Sequence, residues 1–317
     1  MKRVIVAGAA GFLGSHLAKL HLEAGDMVMG LDDFSSSDTS SKHYRDLRSY
    51  ENFSFITLDI TEPTVMPRLI PWKPTLIYNF ACPASPPRYQ EQPIHTMLTC
   101  VVGTENLLRV AQRTGAVLVH ASTSEVYGDP NVSPQPESYR GYVNSYGPRS
   151  CYDEGKRAAE ALCYDYVNSL KTDARMVRIF NTYGPNMDPY DGRVVSNLIV
   201  QGITGEELTV YGDGCQTRSF CYVDDLIRGI VALGALPENP KTPVNIGNPT
   251  EFTILELARQ VQSRFGSKLT FKPLPVDDPM QRCPDITLAK SLLGWEPQVQ
   301  LSEGLDRSIA YFRSVVQ

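Results

Sequence analysis

The chain has 317 residues, of which 42% are hydrophobic and 21% charged, values typical of a folded globular protein and not of a disordered one. The formal net charge of −5 and the isoelectric point near 5.6 exclude the global basic field that attracts nucleic acid or an anionic membrane. Such a length accommodates two domains, or one large domain with a smaller lobe, around a buried core.

The sequence contains no motif typical of a signal peptide, a membrane span or a metal site. The first predicted strand begins by Val4, and no stretch approaches the roughly 18 apolar residues needed to cross a bilayer. We therefore expect a cytoplasmic protein that lacks a signal peptide. The cysteines are Cys82, Cys100, Cys151, Cys163, Cys215, Cys221 and Cys283. They are odd in number and never spaced C-x-x-C, so most are expected to be reduced core residues. The five histidines are scattered, and no metal site is expected.

Short β-rich segments alternate with helical patterns along the first 180 residues. The predicted strands are 4–7, 27–32, 53–59, 76–81, 117–121 and 175–180. A predicted helix covers 12–23 and ends with Gly25 as its C-cap. Another is capped by Ser150 and continues to about 170, with Asp153 and Glu154 at its positive end. This rhythm predicts an α/β fold with a doubly wound parallel sheet of the Rossmann type.

After residue 180 the chain becomes rich in Gly, Pro, Asn and Tyr, with one predicted helix at 194–202. A further αβ unit covers about 222–236 and 244–246. The tail contains a helix at 254–265, a Pro-rich loop at 273–284 and a closing helix. We predict a nucleotide-binding domain of residues 1–180, to which 219–248 return. We also predict a smaller C-terminal substrate-binding lobe formed by 181–218 and 249–317, folded over the strand ends.

The segment Gly8-Ala-Ala-Gly11-Phe-Leu-Gly14 connects the first predicted strand to the first predicted helix. In this pattern Gly8 permits a tight turn, Gly11 lets backbone approach a pyrophosphate, and Gly14 permits close packing of helix on sheet. The helix N-terminus then faces the phosphates, and Phe12 and Leu13 belong to the same binding turn. The position between a strand and a helix indicates a dinucleotide site.

Acids at strand ends indicate which dinucleotide is bound. Asp32 ends the second strand and can accept hydrogen bonds from the adenosine ribose, while its charge repels a 2′-phosphate. We therefore predict NAD and not NADP. Asp59 ends the third strand and either contacts the adenine or caps a turn. Ala81, at the end of the fourth strand, is a further cofactor-binding candidate.

Tyr152 and Lys156 are four residues apart in a predicted helix, so their side chains project from one face. A phenol ordinarily has a pKa of about 10. A fixed cation beside it favours the phenolate and lets it act as a base near neutral pH. Together with the dinucleotide loop, the pair indicates oxidation of a sugar or alcohol hydroxyl at the cofactor.

With these features and Ser122-Thr-Ser-Glu-Val-Tyr-Gly128, the chain resembles the extended short-chain dehydrogenase/reductase family. Within that family it resembles the UDP-glucuronate decarboxylases, also called UDP-xylose synthases. The segments that carry this likeness are 83–87, 121–130, 147–156, 180–185, 191–197, 208–212 and 216–218. The resemblance implies an enzyme that converts UDP-glucuronate to UDP-xylose and CO2 with a tightly held NAD that is regenerated in each turnover.

The resemblance also implies roles for individual residues. Tyr152 would remove the proton of the sugar 4-hydroxyl as C4 is oxidised, and Lys156 would hold the phenolate and the nicotinamide ribose. The 4-keto sugar is a β-keto acid, whose carboxylate leaves because the carbonyl accepts the electrons. Thr123 and Ser124 would hydrogen-bond the sugar hydroxyls or the developing oxyanion. Glu125 would assist decarboxylation through an ordered water or by orienting the ring.

Arg282 matches the family arginine that engages the glucuronate carboxylate or nearby hydroxyls, and a guanidinium suits a carboxylate. Its alternative is an ion pair at the surface with neighbouring acids such as Asp277 and Asp285. The remaining substrate-binding candidates are Arg218 and Arg193 for the UDP diphosphate and ribose, Asn181 for phosphate or sugar, and Tyr211 for the uracil pocket.

Two other functions compete with decarboxylation. A nucleotide-sugar 4-epimerase acting on UDP-glucose or UDP-glucuronate shares the Tyr152 and Lys156 chemistry but rotates the keto sugar, whereas Arg282 and Ser124 favour the decarboxylase. The 4,6-dehydratases carry an aspartic acid in place of Ser124, so that reaction is not expected. The third alternative is a catalytically silent NAD-binding sensor or scaffold, against which Tyr152, Lys156 and Glu125 argue.

The chain departs from the family at two places. The fourth strand reads Tyr78-Asn-Phe-Ala-Cys82 where relatives usually carry a His-Leu-Ala type sequence, and the segment after Asp32 is rich in serine. Extended members commonly pair through helices that correspond here to about 93–113 and 151–169. By this analogy we expect a homodimer whose small-molecule partners are UDP-glucuronate and UDP-xylose, with no nucleic-acid or membrane partner.

Overall fold

The computed structural model describes residues 1–274 and 281–316 of the chain, and all elements below belong to them. The strands are β1 (Arg3–Ala7), β2 (Met27–Asp32), β3 (Phe53–Thr57), β4 (Leu76–Asn79), β5 (Val117–Thr123), β6 (Ala174–Ile179), β7 (Thr182–Tyr183), β8 (Leu208–Tyr211), β9 (Thr217–Ser219), β10 (Cys221–Tyr222), β11 (Val244–Ile246), β12 (Glu251–Thr253) and β13 (Leu269–Lys272).

The helices are α1 (Phe12–Glu23), α2 (Lys42–Leu47), α3 (Val65–Leu69), α4 (Pro86–Glu91), α5 (Pro93–Leu98), α6 (Thr104–Thr114), α7 (Ser150–Leu170), α8 (Val194–Thr204), α9 (Val223–Ala235), α10 (Ile254–Phe265), α11 (Thr287–Leu293) and α12 (Leu301–Phe312). A π-helical turn, Thr99–Gly103, joins α5 to α6. No helix in the described residues is both long and apolar enough to cross a membrane.

Seven strands form one parallel sheet in the order β11-β6-β5-β4-β1-β2-β3. The strand order reverses between β1 and β4, which is the switch point where an open parallel sheet leaves a crevice for a ligand. Each strand predicted in the first 180 residues belongs to this sheet, as does the strand predicted at 244–246. The predicted doubly wound sheet is therefore confirmed.

Successive side chains of β1 enter separate hydrophobic cores on the two faces of the sheet. Val4 and Val6 pack into a core that also contains residues of α1 and α9. Ile5 and Ala7 pack into a second core with residues of α3, α6 and α7. Because helices cover both faces, β1 is apolar at each of the four positions from Val4 to Ala7, as is typical of a strand in a parallel sheet.

The predicted ends of two helices can be compared with the structure. The first helix has the predicted bounds, and Gly25 follows its C-cap with a φ of +79°. The predicted capping of α7 by Ser150 is wrong, because Arg149 occupies the N-cap position. The Ser150 hydroxyl instead donates to the carbonyl of Gly147 at 2.8 Å, within the turn that precedes the helix.

Small elements from the C-terminal half extend beyond the main sheet. The strand pairs β7–β10, β8–β13 and β9–β12 are separate two-stranded sheets. The helix predicted at 194–202 continues to Thr204, and the one predicted at 254–265 has those bounds. The tail contains two helices, α11 and α12, where one was predicted. The Pro-rich loop predicted at 273–284 lies partly outside the described residues.

Candidate active site

A cleft of about 1460 Å³ opens where the strands of the main sheet end. It is lined by residues that directly follow β1, β2, β4, β5 and β6. Every site residue predicted from the sequence lies in its wall. These are Gly8, Gly11, Phe12, Leu13, Gly14, Asp32, Asp59, Ala81, Thr123, Ser124, Glu125, Tyr152, Lys156, Asn181, Arg193, Tyr211, Arg218 and Arg282. Sequence positions that span most of the chain therefore share one cleft.

The glycine loop leaves no space for side chains at two of its positions. Gly8 has a φ of +84°, and a Cβ added to it would stand 2.5 Å from the carbonyl oxygen of Phe80. A Cβ on Gly14 would stand 2.0 Å from the carbonyl oxygen of Gly8. A Cβ on Gly11 meets only that same oxygen, at 3.3 Å, and otherwise points into open space. This shape matches the cradle that a dinucleotide pyrophosphate requires.

The Asp32 carboxylate is fixed beside this loop. One oxygen accepts from the backbone N–H of Ala10 at 3.0 Å. The other accepts from the N–H of Phe34 at 3.0 Å and from the Ser37 hydroxyl at 2.8 Å. Burial raises the pKa of Asp32, and these three donors partly offset the effect. Because a carboxylate offers about four acceptor sites, one remains for a ribose hydroxyl.

Two further polar groups face the same end of the cleft without a protein partner. The Ser41 hydroxyl and Nδ1 of His43 are buried and make no hydrogen bond within the described residues. The other ring nitrogen of His43 bonds to the carbonyl of Ala10, which attaches α2 to the glycine loop. The glycine cradle, the anchored Asp32 and these unpaired groups fit a bound dinucleotide. The sequence reasoning missed Ser41 and His43, although the Ser-rich segment after Asp32 was noticed.

Asp59 has one of the two roles that the sequence left open, and its contact with adenine stays a prediction. Its carboxylate accepts from the N–H of Thr61 at 2.8 Å, so it does cap a turn, and it also lines the cleft. His95 lies between this acid and Asp33, with nitrogen–oxygen distances of 3.8 Å and 3.4 Å respectively. The side chains of Asp33, Asp59 and His95 are of types that hold metal ions. The expectation that the protein binds no metal therefore stays a prediction.

Tyr152 and Lys156 lie on one face of α7, as their spacing predicts, and both are buried. The Lys156 ammonium donates to the carbonyl of Ala121 at 2.8 Å and lies 5.8 Å from the centre of the Tyr152 ring. The ring of Tyr89 stacks on that of Tyr152, with centres 5.0 Å apart and planes inclined by 4°. The hydroxyl of Tyr89 is buried without a partner in the described residues. Tyr89 was not identified from the sequence.

The side chains around Tyr152 do not lower its pKa, contrary to the prediction. Burial raises the pKa of Tyr152 well above its ordinary value, and the neighbouring Cys82 adds to the rise. A hydrogen bond with the Thr123 side chain and the charge of Arg193 oppose this effect without reversing it. The prediction rested on the charge of the nearby cation. Loss of water around the buried phenol has the larger effect on its pKa and raises it.

Glu125 lies between two arginines. One oxygen of its carboxylate accepts from Arg149 at 2.8 Å and from Arg282 at 3.0 Å. Burial alone would raise the pKa of Glu125, but the charges of Arg282 and Arg149 hold it below its ordinary value. The carboxylate is therefore ionised at neutral pH. Arg149 was missed because its sequence neighbours gave no sign of this partner.

Arg282 is 1% exposed, so the alternative of a surface ion pair is wrong. Its guanidinium also donates to the carbonyl of Ser124 at 2.7 Å, which fixes the turn that carries Glu125. Of the acids near it in sequence, Asp277 and Asp278 lie outside the described residues. The sequence predicted contact with the substrate carboxylate, and Arg282 lines the cleft where such a contact can form.

Asp153 is a buried acid in the first turn of α7, next to Tyr152 in the sequence. It is 6% exposed, and one of its oxygens has no partner within the described residues. The other oxygen lies 3.8 Å from Nε of Arg149. Burial and the charge of Glu125 together raise the pKa of Asp153 to about 7. The sequence reasoning assigned it only to the positive end of the helix.

The remaining substrate-binding candidates lie along other parts of the wall. Arg193 donates to the carbonyl of Ala84 at 2.9 Å, and Arg218 is 8% exposed. Tyr211, at the end of β8, is 37% exposed. Asn181 occupies the short connection between β6 and β7. Two cations and two polar side chains therefore face the part of the cleft away from the glycine loop.

Comparison with known proteins identifies the family. Residues 4–247 match the model of the NAD dependent epimerase/dehydratase family. The chain belongs to this family. Its description names NAD, which confirms the predicted cofactor. The match covers the glycine loop, the pair in α7 and every strand of the main sheet.

One relative is UDP-glucuronic acid decarboxylase 1 of Xenopus tropicalis, which is 48% identical over 319 residues that cover 100% of this chain and 73% of the relative. The UDP-glucose 4-epimerase of Thermotoga maritima has a similar structure, with a TM-score of 0.90, 28% identity and coverage of 99% and 100% of the two chains. The UDP-glucuronic acid 4-epimerase of Bacillus cereus, solved with UDP-glucuronic acid and NAD, gives a TM-score of 0.87, 29% identity and 99% coverage of each chain. These likenesses confirm the resemblance identified from the sequence motifs.

Proposed function

We propose that the protein is an enzyme that converts UDP-glucuronate to UDP-xylose and CO2 in an NAD-dependent cycle. Relatives named UDP-glucuronic acid decarboxylase match the whole chain at 48% identity. The structural observation that carries the proposal is the position of Glu125. This ionised acid is held by Arg149 and Arg282 in the same cleft as Tyr152 and Lys156.

The first step is oxidation at C4 of the sugar. Bound NAD would accept a hydride from C4, return it in the last step, and place a positive charge that favours the Tyr152 phenolate. Tyr152 takes the proton of the 4-hydroxyl, and Thr123 hydrogen-bonds the same oxygen. The stacked ring of Tyr89 and the burial of Tyr152 exclude water from this transfer. Lys156 keeps its position through the carbonyl of Ala121 and holds the ribose beside the phenol.

The second step is loss of the carboxylate from the 4-keto sugar. The bond between C5 and C6 breaks, its electron pair moves into an enolate whose oxygen is at C4, and CO2 leaves. The hydroxyls of Tyr152 and Thr123 stabilise that oxyanion. C5 then takes a proton from water, and Tyr152 returns its proton to the 4-oxygen as C4 is reduced. Because Glu125 is ionised, it has no proton of its own to give, and it acts by holding a water or by orienting the ring.

Substrate recognition is assigned to the far wall of the cleft. Arg282 engages the glucuronate carboxylate or a nearby hydroxyl, Arg218 and Arg193 the diphosphate and ribose, and Asn181 a phosphate or sugar oxygen. Tyr211 borders the uracil. This assignment divides the chain as the sequence predicts, with a NAD-binding domain of 1–180 and 219–248. The UDP-sugar lobe comprises 181–218 and 249–317.

One experiment tests the reaction. The purified protein is incubated with UDP-glucuronate without added NAD, and the products are separated by chromatography with detection of CO2. We expect CO2 and a UDP-pentose, formed with NAD that copurifies. UDP-galacturonate would indicate the 4-epimerase, which the similar structures of two epimerases keep as the second candidate. No turnover with NAD bound would indicate a silent binding protein.

We further propose a homodimer formed through α5, α6 and α7. Three large hydrophobic side chains in this region are exposed, Ile94 by 77%, Leu98 by 45% and Tyr164 by 60%. A partner surface that covers them would remove apolar area from water. Light scattering on the purified protein measures the mass, and Ile94→Glu is expected to yield monomers. The cytoplasmic location stays a prediction that cell fractionation would test.

A further inference from the structure

Two cysteine side chains meet beside the reaction centre. Cys82 follows β4, and Cys100 belongs to the π-helical turn Thr99–Gly103. Their sulfur atoms are 3.3 Å apart, and the two thiols share a hydrogen bond. A disulfide requires about 2.05 Å, so the sulfurs would need to approach by only about 1.2 Å. From the sequence, these two residues were expected to be separate core cysteines.

This dithiol lies against the helical turn that carries the catalytic pair. Gly155 stands between Tyr152 and Lys156 on α7, and a Cβ added to it would lie 3.0 Å from Cβ and 3.2 Å from Sγ of Cys100. Nothing but the glycine backbone therefore separates Cys100 from that turn. A displacement of Cys100 would therefore move the turn of α7 that carries the phenol and the ammonium group.

The two thiols differ in access and in charge. Cys82 is partly exposed and lines the cleft, whereas Cys100 is 1% exposed. The hydrogen bond between the two thiols and the charge of Lys156 lower the pKa of Cys100, whereas the same hydrogen bond and burial raise the pKa of Cys82. A small oxidant can therefore enter through the cleft and reach Cys82, while its neighbour supplies a thiolate. The accessible thiol and the adjacent thiolate supply the attacking and the resolving cysteine that formation of a disulfide requires.

We propose that Cys82 and Cys100 form an oxidation site, at which a hydroperoxide converts the dithiol to a disulfide that displaces Tyr152 and stops turnover. The Cys82 thiol passes its proton to the Cys100 sulfur and attacks the peroxide as a thiolate, and the O–O bond breaks. The leaving hydroxide takes the proton from Cys100, so that a sulfenic acid and one water form. The Cys100 thiolate attacks that sulfur, the S–S bond forms, and hydroxide leaves and takes up a proton. Two thiols and one hydrogen peroxide thus become one disulfide and two waters. A thiol reductant reverses the change.

Peptide mapping tests the bond without any assay of activity. The protein is treated with hydrogen peroxide, its free thiols are blocked, and it is digested with trypsin. Cleavage after Arg88 places the two cysteines in separate peptides, 69–88 and 89–109. We expect these peptides to be joined and to be released by dithiothreitol. The joined pair should be absent in Cys100→Ser and in Cys82→Ser, but present in Cys215→Ser, which removes an exposed cysteine. Oxidation that leaves both peptides unjoined, or that joins Cys82 to Cys151, overturns the proposal.

The effect on turnover rests on the proposed function and is measured separately. Since a displacement of about 1 Å at a reaction centre can cost on the order of 10²-fold in rate, a loss of that size should accompany the disulfide. Dithiothreitol should restore the rate, and Cys100→Ser should keep its rate in peroxide. A joined peptide pair with full turnover overturns the claim that Tyr152 is displaced. If the reduced protein never decarboxylates UDP-glucuronate, the proposed function fails while the mapping result still decides the oxidation site.

Discussion

Arg282 and Glu125 form an ion pair of 3.0 Å between residues that are 157 positions apart in the chain. The arginine is buried, and Arg149 donates to the same carboxylate oxygen at 2.8 Å. Two guanidinium groups thus hold one carboxylate ionised at the edge of the cleft. The substrate carboxylate would bring a second negative charge to the same arginines. Arg282 is therefore expected to act both on the substrate and through Glu125.

Replacing Arg282 by alanine tests both actions. UDP-glucuronate binding should weaken on the order of 10²-fold, as for other buried charge pairs that lose one partner, whereas UDP-xylose, which has no carboxylate, should lose far less. Removing the positive charge also raises the pKa of Glu125, so the acid limb of the kcat/KM profile should move to higher pH. Binding titrations and a pH profile measure these effects. Arg307→Ala, which breaks an exposed ion pair in α12, is the control. If the variant loses affinity equally for both nucleotides and its pH profile does not move, Arg282 instead binds the diphosphate or stabilises the structure.

The Tyr152 hydroxyl is the assigned base, so Tyr152→Phe should lower kcat by at least about 10²-fold, the usual contribution of a general base. Affinity for UDP-glucuronate should change little, since the ring and its stacking on Tyr89 remain. Single-turnover kinetics and binding titration measure the two quantities. Tyr146→Phe, which changes an exposed tyrosine that precedes α7, is the matched control and should keep full activity. Near-normal turnover in Tyr152→Phe would remove it from this role.

The glycine loop allows folding to be separated from cofactor binding. A Cβ on Gly11 meets only one backbone oxygen at 3.3 Å, so Gly11→Ala should fold, yet its methyl group occupies the approach of the pyrophosphate. The variant should lose copurified NAD while the Tm of the protein stripped of NAD changes by only a few degrees. Gly14→Ala should instead lower that Tm strongly, because its Cβ would stand 2.0 Å from a carbonyl oxygen. Retention of NAD by Gly11→Ala would contradict the assigned position of the pyrophosphate.

The raised pKa of Asp153 predicts a pH-dependent stability. The native carboxyl keeps its proton up to about pH 7, whereas the carboxyl of the unfolded chain releases it near its ordinary pKa of 3.8. Stability therefore falls as pH rises between these values and stays lower above them. Asp153→Asn carries no such titration, so from pH 4 to pH 8 its free energy of unfolding should rise relative to the parent by at least about 1 kcal/mol. Urea unfolding at both pH values measures this. A difference that is independent of pH would show that the buried acid does not titrate there.

Much of the fold could be predicted because its signals are local. The strands follow from short apolar runs, and the glycine loop from a contiguous pattern whose geometry only glycine permits. Tyr152 and Lys156 are one helical turn apart, so their common face needs no tertiary information. Asp32 was found for the same reason, since it ends a strand that directly follows the first helix.

The contacts that give these groups their chemistry could not be predicted in this way. Arg149 and Arg282 reach Glu125 only because the chain returns to the cleft from distant positions. Asp153 looked like an ordinary helix-end acid until its burial was known. The approach of Cys82 to Cys100 depends on a π-helical turn, for which the sequence offers no clear pattern. The pKa of Tyr152 was predicted in the wrong direction because burial cannot be read from spacing.

The distance along the chain between Glu125 and Arg282 bears on how the enzyme matures during translation. A nascent polypeptide that has emerged from the ribosome as far as Ile246 already contains every strand of the main sheet. It still lacks Arg282, one of the two guanidinium groups that pair with Glu125. With the role proposed for Arg282, competence for catalysis is acquired late in synthesis, and incomplete chains that assemble the sheet would remain inactive until the final segment docks.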